Sequence, residues 1–342
     1  MRRDTAIESL PAGAPSERRA GGAGIVRQLG YAVQAMRPRQ WSKNALVLVA
    51  IVFAHEALQP RPLARGLIAF VAFCLTASMV YILNDLADRE RDRQHPIKRE
   101  RPLASGRLSV PVAVGTAAAC GLGAAALVAL IATWALAGVR DPFLAWGGSP
   151  LLFAGTLLSY AAFNLAYSLW LKHLVLWDVF VIAAGFVLRA LAGAFAAPVP
   201  ISTWFYLCAT FLALFLALGK RRSELARAQG EAERQRASLG AYTVQLLDQL
   251  LVVVVACALM TYSLYTFQSD TASHGMMLTI PFVIFGVFRY LYLIYARGEG
   301  ERPDELLWRD RQVLGAVVCC VVVTVAVLYG VPALAGHAHP PG

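Results

Sequence analysis

Nine stretches of this chain are apolar for long enough to cross a bilayer, which takes roughly 17–25 residues each. They fall at about 44–60, 66–86, 110–137, 145–168, 174–196, 201–219, 242–267, 276–296 and 312–334. A segment surrounded by hydrocarbon must satisfy every backbone N–H and C=O within itself, so a run of this length can only be a helix. The sequence therefore predicts an all-α, polytopic membrane protein of nine transmembrane helices. Composition agrees, since 58% of the 342 residues are hydrophobic and only 15% are charged. A water-soluble domain could not cover that much apolar surface.

The net charge of +10 invites a nucleic-acid reading, but its distribution has another cause. Alternate loops can be assigned to two sides, with Arg289 counted in the last loop of the first side. That side then holds 27 of the 31 Lys and Arg residues. The other side has only Arg61, Arg65 and Arg140, and Arg189 lies inside a helix. This bias places the N-terminus and the basic loops in the cytoplasm, so no nucleic-acid partner is needed. Residues 1–36 read as a basic, disordered N-terminal segment without the apolar core of a cleavable signal, 37–334 as the membrane domain, and 335–342 as a flexible tail. The six cysteines lie in apolar runs without metal-ligand spacing and read as structural thiols.

The second apolar run ends in "YILNDLADRERDRQHPIKRERPLASGRLS", residues 81–109. Asp85, Asp88 and Asp92 are three and four residues apart, so on a continuous helix they stack on one face with Asn84 at its edge. Stacked carboxylates repel unless a cation lies among them. Hard oxygen ligands that leave positions open to water and phosphate suit Mg²⁺ better than zinc. Lys98, Arg99 and Arg101 follow at once, and a Mg²⁺-bound diphosphate needs such cations for its remaining charge. The plainer account is a solvated helix end with weak surface ion pairs. It leaves the alternation of acids and bases within one loop unexplained.

These residues resemble the UbiA-type intramembrane prenyltransferases. "NDLADRERD" (84–92) is similar to that superfamily's first aspartate motif, "RPLASGRLS" (101–109) to its Arg-Pro-Leu-x-Ser-Gly element, and "YSLWLK" (167–172) to its Tyr…Lys element. The resemblance implies a nine-helix bundle with a cytosolic active site. One departure stands out. Where the superfamily carries a second Asp-x-x-x-Asp motif, this chain reads "LALGKRRSEL" (216–225). With "RPRQWSKN" (37–44), "LKHLVLWDV" (171–179) and "GFVLRALAG" (185–193), it resembles the decaprenyl-phosphate phosphoribosyltransferase branch.

That resemblance implies Mg²⁺-dependent transfer of 5-phosphoribose from 5-phosphoribosyl 1-pyrophosphate to a polyprenyl phosphate, a step toward cell-wall arabinan. It implies Asn84, Asp85, Asp88 and Asp92 as metal ligands, with the three acids and Lys172 as the catalytic set. Lys43, Lys98, Arg99, Arg101, Lys220, Arg221 and Arg222 become candidates for the donor's phosphates or the lipid phosphate. A donor with a diphosphate and a separate 5-phosphate needs two anion sites, and the "KRR" of 220–222 would supply the second. Tyr167 and Asp178 join the substrate site. Arg189, on the same helix face as Asp178 and roughly 17 Å deeper, is a functional candidate because ionisable groups at that depth are costly. Snorkelling to the far interface is its plainer role. The competing reading is a prenyltransferase with an allylic diphosphate donor, and a transporter is a third. The partners expected are the two substrates and the bilayer, with room for a homo-oligomer.

Overall fold

The computed structural model describes residues 17–136, 149–227, 237–268, 275–300 and 303–330. Among them every regular element is a helix, with no strand. Eight helices are long and apolar enough to cross a membrane. They are α3 (Pro60–Ala87), α5 (Val110–Leu136), α6 (Pro150–Leu169), α7 (Trp177–Ala196), α8 (Thr203–Arg227), α10 (Val244–Gln268), α11 (Ile280–Arg297, with the 3₁₀ turn Gly275–Thr279 before it) and α13 (Arg311–Val325, extended by one π turn to Gly330). Shorter pieces are α1 (Glu17–Met36), α2 (Val49–Phe53), α4 (Arg89–Gln94), α9 (Ala237–Gly240) and α12 (Pro303–Arg309).

Two expectations need correction. The run at 44–60 is not a regular spanning helix. It is an eleven-residue 3₁₀ segment, Pro38–Leu48, that continues into α2. A 3₁₀ helix rises ~2.0 Å per residue against ~1.5 Å in an α-helix, so this short element still reaches from one end of the bundle to the other. Arg37 at its start bonds to Asp85, and past its end His55 approaches the Leu328 carbonyl of the last span. Its backbone lies directly on α7, where a Cβ added to Gly193 would sit 1.7 Å from the Val47 carbonyl oxygen. Residues 17–36, expected to be disordered, form α1, which buries Ala32 and Ala35 against Ile82, Leu103 and Leu108. Residues 1–16 and the 335–342 tail lie outside the described residues.

The main core fills the space between α7, α8, α10 and α11, around Phe215, Leu247, Leu251 and Leu293. A second core joins α3, α6 and α7 around Phe73, Phe153 and Tyr160. All six cysteines are free; only Cys74 and Cys120 are buried, and Cys319 is exposed. Because the helices alternate in direction, the C-terminal ends of α3, α6, α8 and α11 share one end of the bundle with the N-terminal ends of α5, α7, α10 and α13. Among the described residues, most of the buried charge collects there.

Candidate active site

The acid cluster is built where α3 stops. Asp88 caps its last turn and starts α4, with φ −91° and ψ 4°. The helix is broken there, so the three acids do not stack as a continuous helix would arrange them. Asp85 and Asp92 are both 3% exposed and turn toward each other. Asp88 faces outward and pairs with Arg91 at 3.3 Å. Asn84, one residue before Asp85, is half-buried.

Arg101 lies between the two buried acids. Its Nη1 is 3.0 Å from Asp85 Oδ1 and 2.7 Å from Asp92 Oδ2. Arg37 donates to the same Asp85 oxygen at 2.6 Å and lies over the Tyr81 ring. Arg37 adopts φ 56°, a left-handed conformation that costs a non-glycine residue roughly 1–3 kcal/mol and often marks a functional position. The Arg-Pro-Leu-x-Ser-Gly element has a local explanation. The Ser105 hydroxyl donates to the Arg101 carbonyl (2.8 Å), Gly106 takes a φ of 75° that a side chain would resist, and Leu103 and Leu108 are buried anchors. This turn holds Arg101 against the acids. Lys98 and Arg99 sit exposed in the 3₁₀ turn Lys98–Glu100.

A second cluster joins the ends of α6, α7, α8 and α10. Arg221 is fully buried, and its Nε lies 2.7 Å from Oδ2 of the fully buried Asp178. Its Nη1 contacts Glu224, and its Nη2 donates to the Tyr167 hydroxyl at 3.0 Å. Tyr242 donates to Asp178 Oδ1 (2.7 Å) and accepts the Leu176 N–H (2.7 Å). Burial first, and the bond to Asp178 second, push the Tyr242 hydroxyl well above its ordinary pKa, so it stays a donor. Leu176, which caps α7, has φ 67°. Lys220 reaches Glu224 at 3.9 Å with its side chain 36% exposed. Arg222 turns the other way, to Asp248 at 3.1 Å and over the Tyr295 ring. Lys172 lies in the 3₁₀ turn Leu171–His173 beside this cluster, and Lys43 in the Pro38–Leu48 segment; both are half-buried.

Arg189 is buried deep in the bundle and does not snorkel. It donates to Asn44 Oδ1 (2.8 Å), the Gly185 carbonyl and the Tyr160 hydroxyl (3.0 Å), under the rings of Phe73, Tyr160 and Phe186. Asn164 donates to the Tyr160 carbonyl in its own helix (2.8 Å). Beside Arg189 the wall formed by Phe186 and Ala190 opens on an apolar cavity of about 270 Å³, closed by Phe53, Phe205, Tyr262 and Tyr265.

Sequence reasoning missed Arg37 and Tyr242 as site residues. Arg37 stands in the quoted "RPRQWSKN", so its motif was visible. Tyr242 lies 64 residues from Asp178 with no local pattern to mark it. Among the described residues no three His, Cys, Asp or Glu side chains converge as a metal cage. Two hard carboxylates nevertheless meet on a single cationic nitrogen. That donor set fits a Mg²⁺ that keeps water and phosphate as its other ligands.

Residues 45–308 match the UbiA prenyltransferase family. The chain is 36% identical over 306 residues to a Corynebacterium glutamicum protein named decaprenyl-phosphate phosphoribosyltransferase, covering 86% of this chain and 87% of that one. It is 34% identical over 307 residues to the Mycobacterium tuberculosis protein of the same name, covering 87% and 94%. Its fold is similar to that of a UbiA homolog from Archaeoglobus fulgidus bound to GPP and Mg²⁺. The TM-score is 0.63 at 19% identity, over 87% of this chain and 99% of that one.

Proposed function

The chain belongs to the UbiA prenyltransferase family and is a membrane-embedded transferase, and from that premise we propose that it transfers 5-phosphoribose from 5-phosphoribosyl 1-pyrophosphate to decaprenyl or another polyprenyl phosphate. An oxygen of the lipid phosphate bonds to ribose C1 while the bond from C1 to the pyrophosphate oxygen breaks, and pyrophosphate leaves. The attacking phosphate is already ionised at neutral pH, so the reaction needs charge neutralisation and alignment more than a strong base.

The observation that carries this reading is the convergence of buried Asp85 and Asp92 on the Arg101 guanidinium, with Arg37 on the same Asp85 oxygen. Held by Asp85 and Asp92, with Asn84 and Asp88 beside them, Mg²⁺ would neutralise charge on the departing pyrophosphate. Arg37 and Arg101 bind the diphosphate oxygens that the metal would leave uncovered, with Lys98 and Arg99 at the entrance. Lys220, at the edge of the second cluster, takes the donor's 5-phosphate, with Lys172 and Lys43 for the lipid phosphate. Asp178, Tyr167, Arg221 and Arg222 hold that wall in place. Arg189 fixes the 38–48 segment through Asn44, and the apolar cavity receives part of the polyprenyl chain. We place the chain in the plasma membrane, and the Lys/Arg asymmetry supports an orientation with the acids facing the cytoplasm.

The test supplies membranes with labelled phosphoribosyl pyrophosphate and, separately, a labelled allylic diphosphate. Label should reach the lipid fraction from the first donor with Mg²⁺ present, and Asp85→Asn or Asp92→Asn should abolish it. Transfer from the allylic donor alone, or full transfer by either variant, overturns the proposal.

A further inference from the structure

Among the described residues, helix α1 is the one long helix that does not cross the bundle, and its surface divides into three sectors. At ~100° per residue, Gln28, Tyr31, Ala32 and Ala35 share one face; Ala32 and Ala35 are buried there against α3, α5 and the 101–109 turn. Ile25, Val26, Leu29 and Val33 fall together on one flank and are 64%, 69%, 57% and 53% exposed. Arg27, Gly30 and Gln34 fall on the other flank, also exposed.

The depth of α1 is set by its hydrogen bonds. Gln28 donates to the Arg107 carbonyl (2.8 Å) and accepts the Ser109 N–H (3.0 Å), so it is level with the start of α5. The Met36 carbonyl accepts from Ser78 (3.1 Å). Ser78 is ten residues before Asp88, roughly 15 Å into α3 at ~1.5 Å per residue. Residues 29–36 therefore run beside stretches of α3 and α5 that lie within the bilayer. On α5, against which α1 packs, Val110 and Val114 are exposed, and a spanning helix turns such residues to lipid.

We propose that α1 is a lipid-facing helix, its Ile25–Val26–Leu29–Val33 flank seated in the acyl region of the leaflet beside the acid cluster and its polar flank turned to the aqueous mouth. An amphipathic helix at a membrane boundary is held by burial of such a flank. Seated there, α1 does two things for the site. Its Gln28 clamps the turn that carries Arg101, and its C-terminal end delivers Arg37 to Asp85. The occupant is the bilayer because the flank lies at bilayer depth, on a helix packed against the spanning helices α3 and α5.

The test places a nitroxide at position 29 or position 34 of the full chain, with the six native cysteines replaced, in phospholipid vesicles. Collision rates with oxygen, which enriches among acyl chains, and with a water-soluble nickel chelate are then compared. The oxygen-to-nickel ratio should be several-fold higher at 29 than at 34. Low collision with both reagents at 29 would show that a second copy of the chain covers the flank, and high nickel collision would show water; either overturns the proposal. Should the cysteine-free chain not fold, benzoylphenylalanine at 29 in the native-cysteine chain decides the matter. Irradiation should give a phospholipid adduct by intact mass, and a cross-linked dimer or no lipid adduct overturns the proposal. Neither readout depends on the transferred group, so failure here leaves the proposed reaction standing, and the converse holds.

Discussion

Arg221 and Lys220 are neighbours in one basic triplet, yet burial separates their roles. Arg221 is sealed in, with Asp178, Glu224 and Tyr167 around its guanidinium. Removing it would leave the fully buried Asp178 without its counter-charge, at a cost of about 3–5 kcal/mol. Lys220 sits at the edge with a 3.9 Å pair, an arrangement that contributes at most ~1 kcal/mol. Arg221→Met should therefore lower the thermal unfolding temperature in detergent sharply. Lys220→Met should leave it nearly unchanged while raising the KM for the phosphoribosyl donor. Equal losses of stability in the two variants would defeat this division. Tyr242 gives a second residue-scale expectation. Tyr242→Phe removes a donor from Asp178 and the acceptor of the Leu176 N–H, and buried groups left unsatisfied cost about 1–3 kcal/mol each. The same melting experiment checks it, with Tyr206→Phe, an exposed site, as the neutral control.

Elements made of long apolar runs were legible in the sequence because their length alone demands a helix; eight of the nine appear as such. The exception, 38–53, was not legible, because 3₁₀ and α backbones share apolar composition and differ only in how closely a neighbour packs. That neighbour is α7, where Gly193 leaves no room between the two backbones. Helix α1 was hidden for a related reason: its local composition is poor, and two buried alanines in a distant cluster hold it. In the site, the spacing of Asp85, Asp88 and Asp92 was plain, but the break at Asp88 that sends its carboxylate outward depends on the turn that follows. The close approach at Gly193 carries its own test. Gly193→Ala must push the 38–53 element off α7, straining the Asn44–Arg189 bond (2.8 Å), and overpacking of this kind costs about 1–3 kcal/mol or more. Gly155→Ala, where nothing lies within 4 Å, should be neutral or slightly stabilising. Parallel melting curves for the two variants would show that the contact is not tight.

At the scale of the whole bundle, acid–base contacts join successive helices at the end that carries the site: Asp85 with Arg37 and Arg101, Asp178 with Arg221, Asp248 with Arg222, and Asp310 with Arg289. The opposite end packs instead through rings such as Phe53, Phe205 and Tyr265. Of these acids, Asp310 carries a pH dependence of definite sign. Its carboxylate accepts from Arg289 at 2.7 Å and 3.2 Å and caps α13 through the N–H groups of Gln312 and Val313. The Arg289 hydrogen bond, opposed by burial and aided by the Val313 N–H, holds its pKa below the ordinary carboxylate range. The unfolded chain then takes up this proton at a higher pH than the folded one, so stability falls as pH falls. The contribution of Asp310 is complete above the ordinary aspartate pKa and is lost as pH drops toward the lowered folded value. Asp310→Asn cannot titrate, so it should melt lower than the parent at neutral pH, and the gap should narrow as the medium is acidified through that window. A gap that stays constant with pH would show that the Arg289–Asp310 tie does not hold α11 to α13 through its charge.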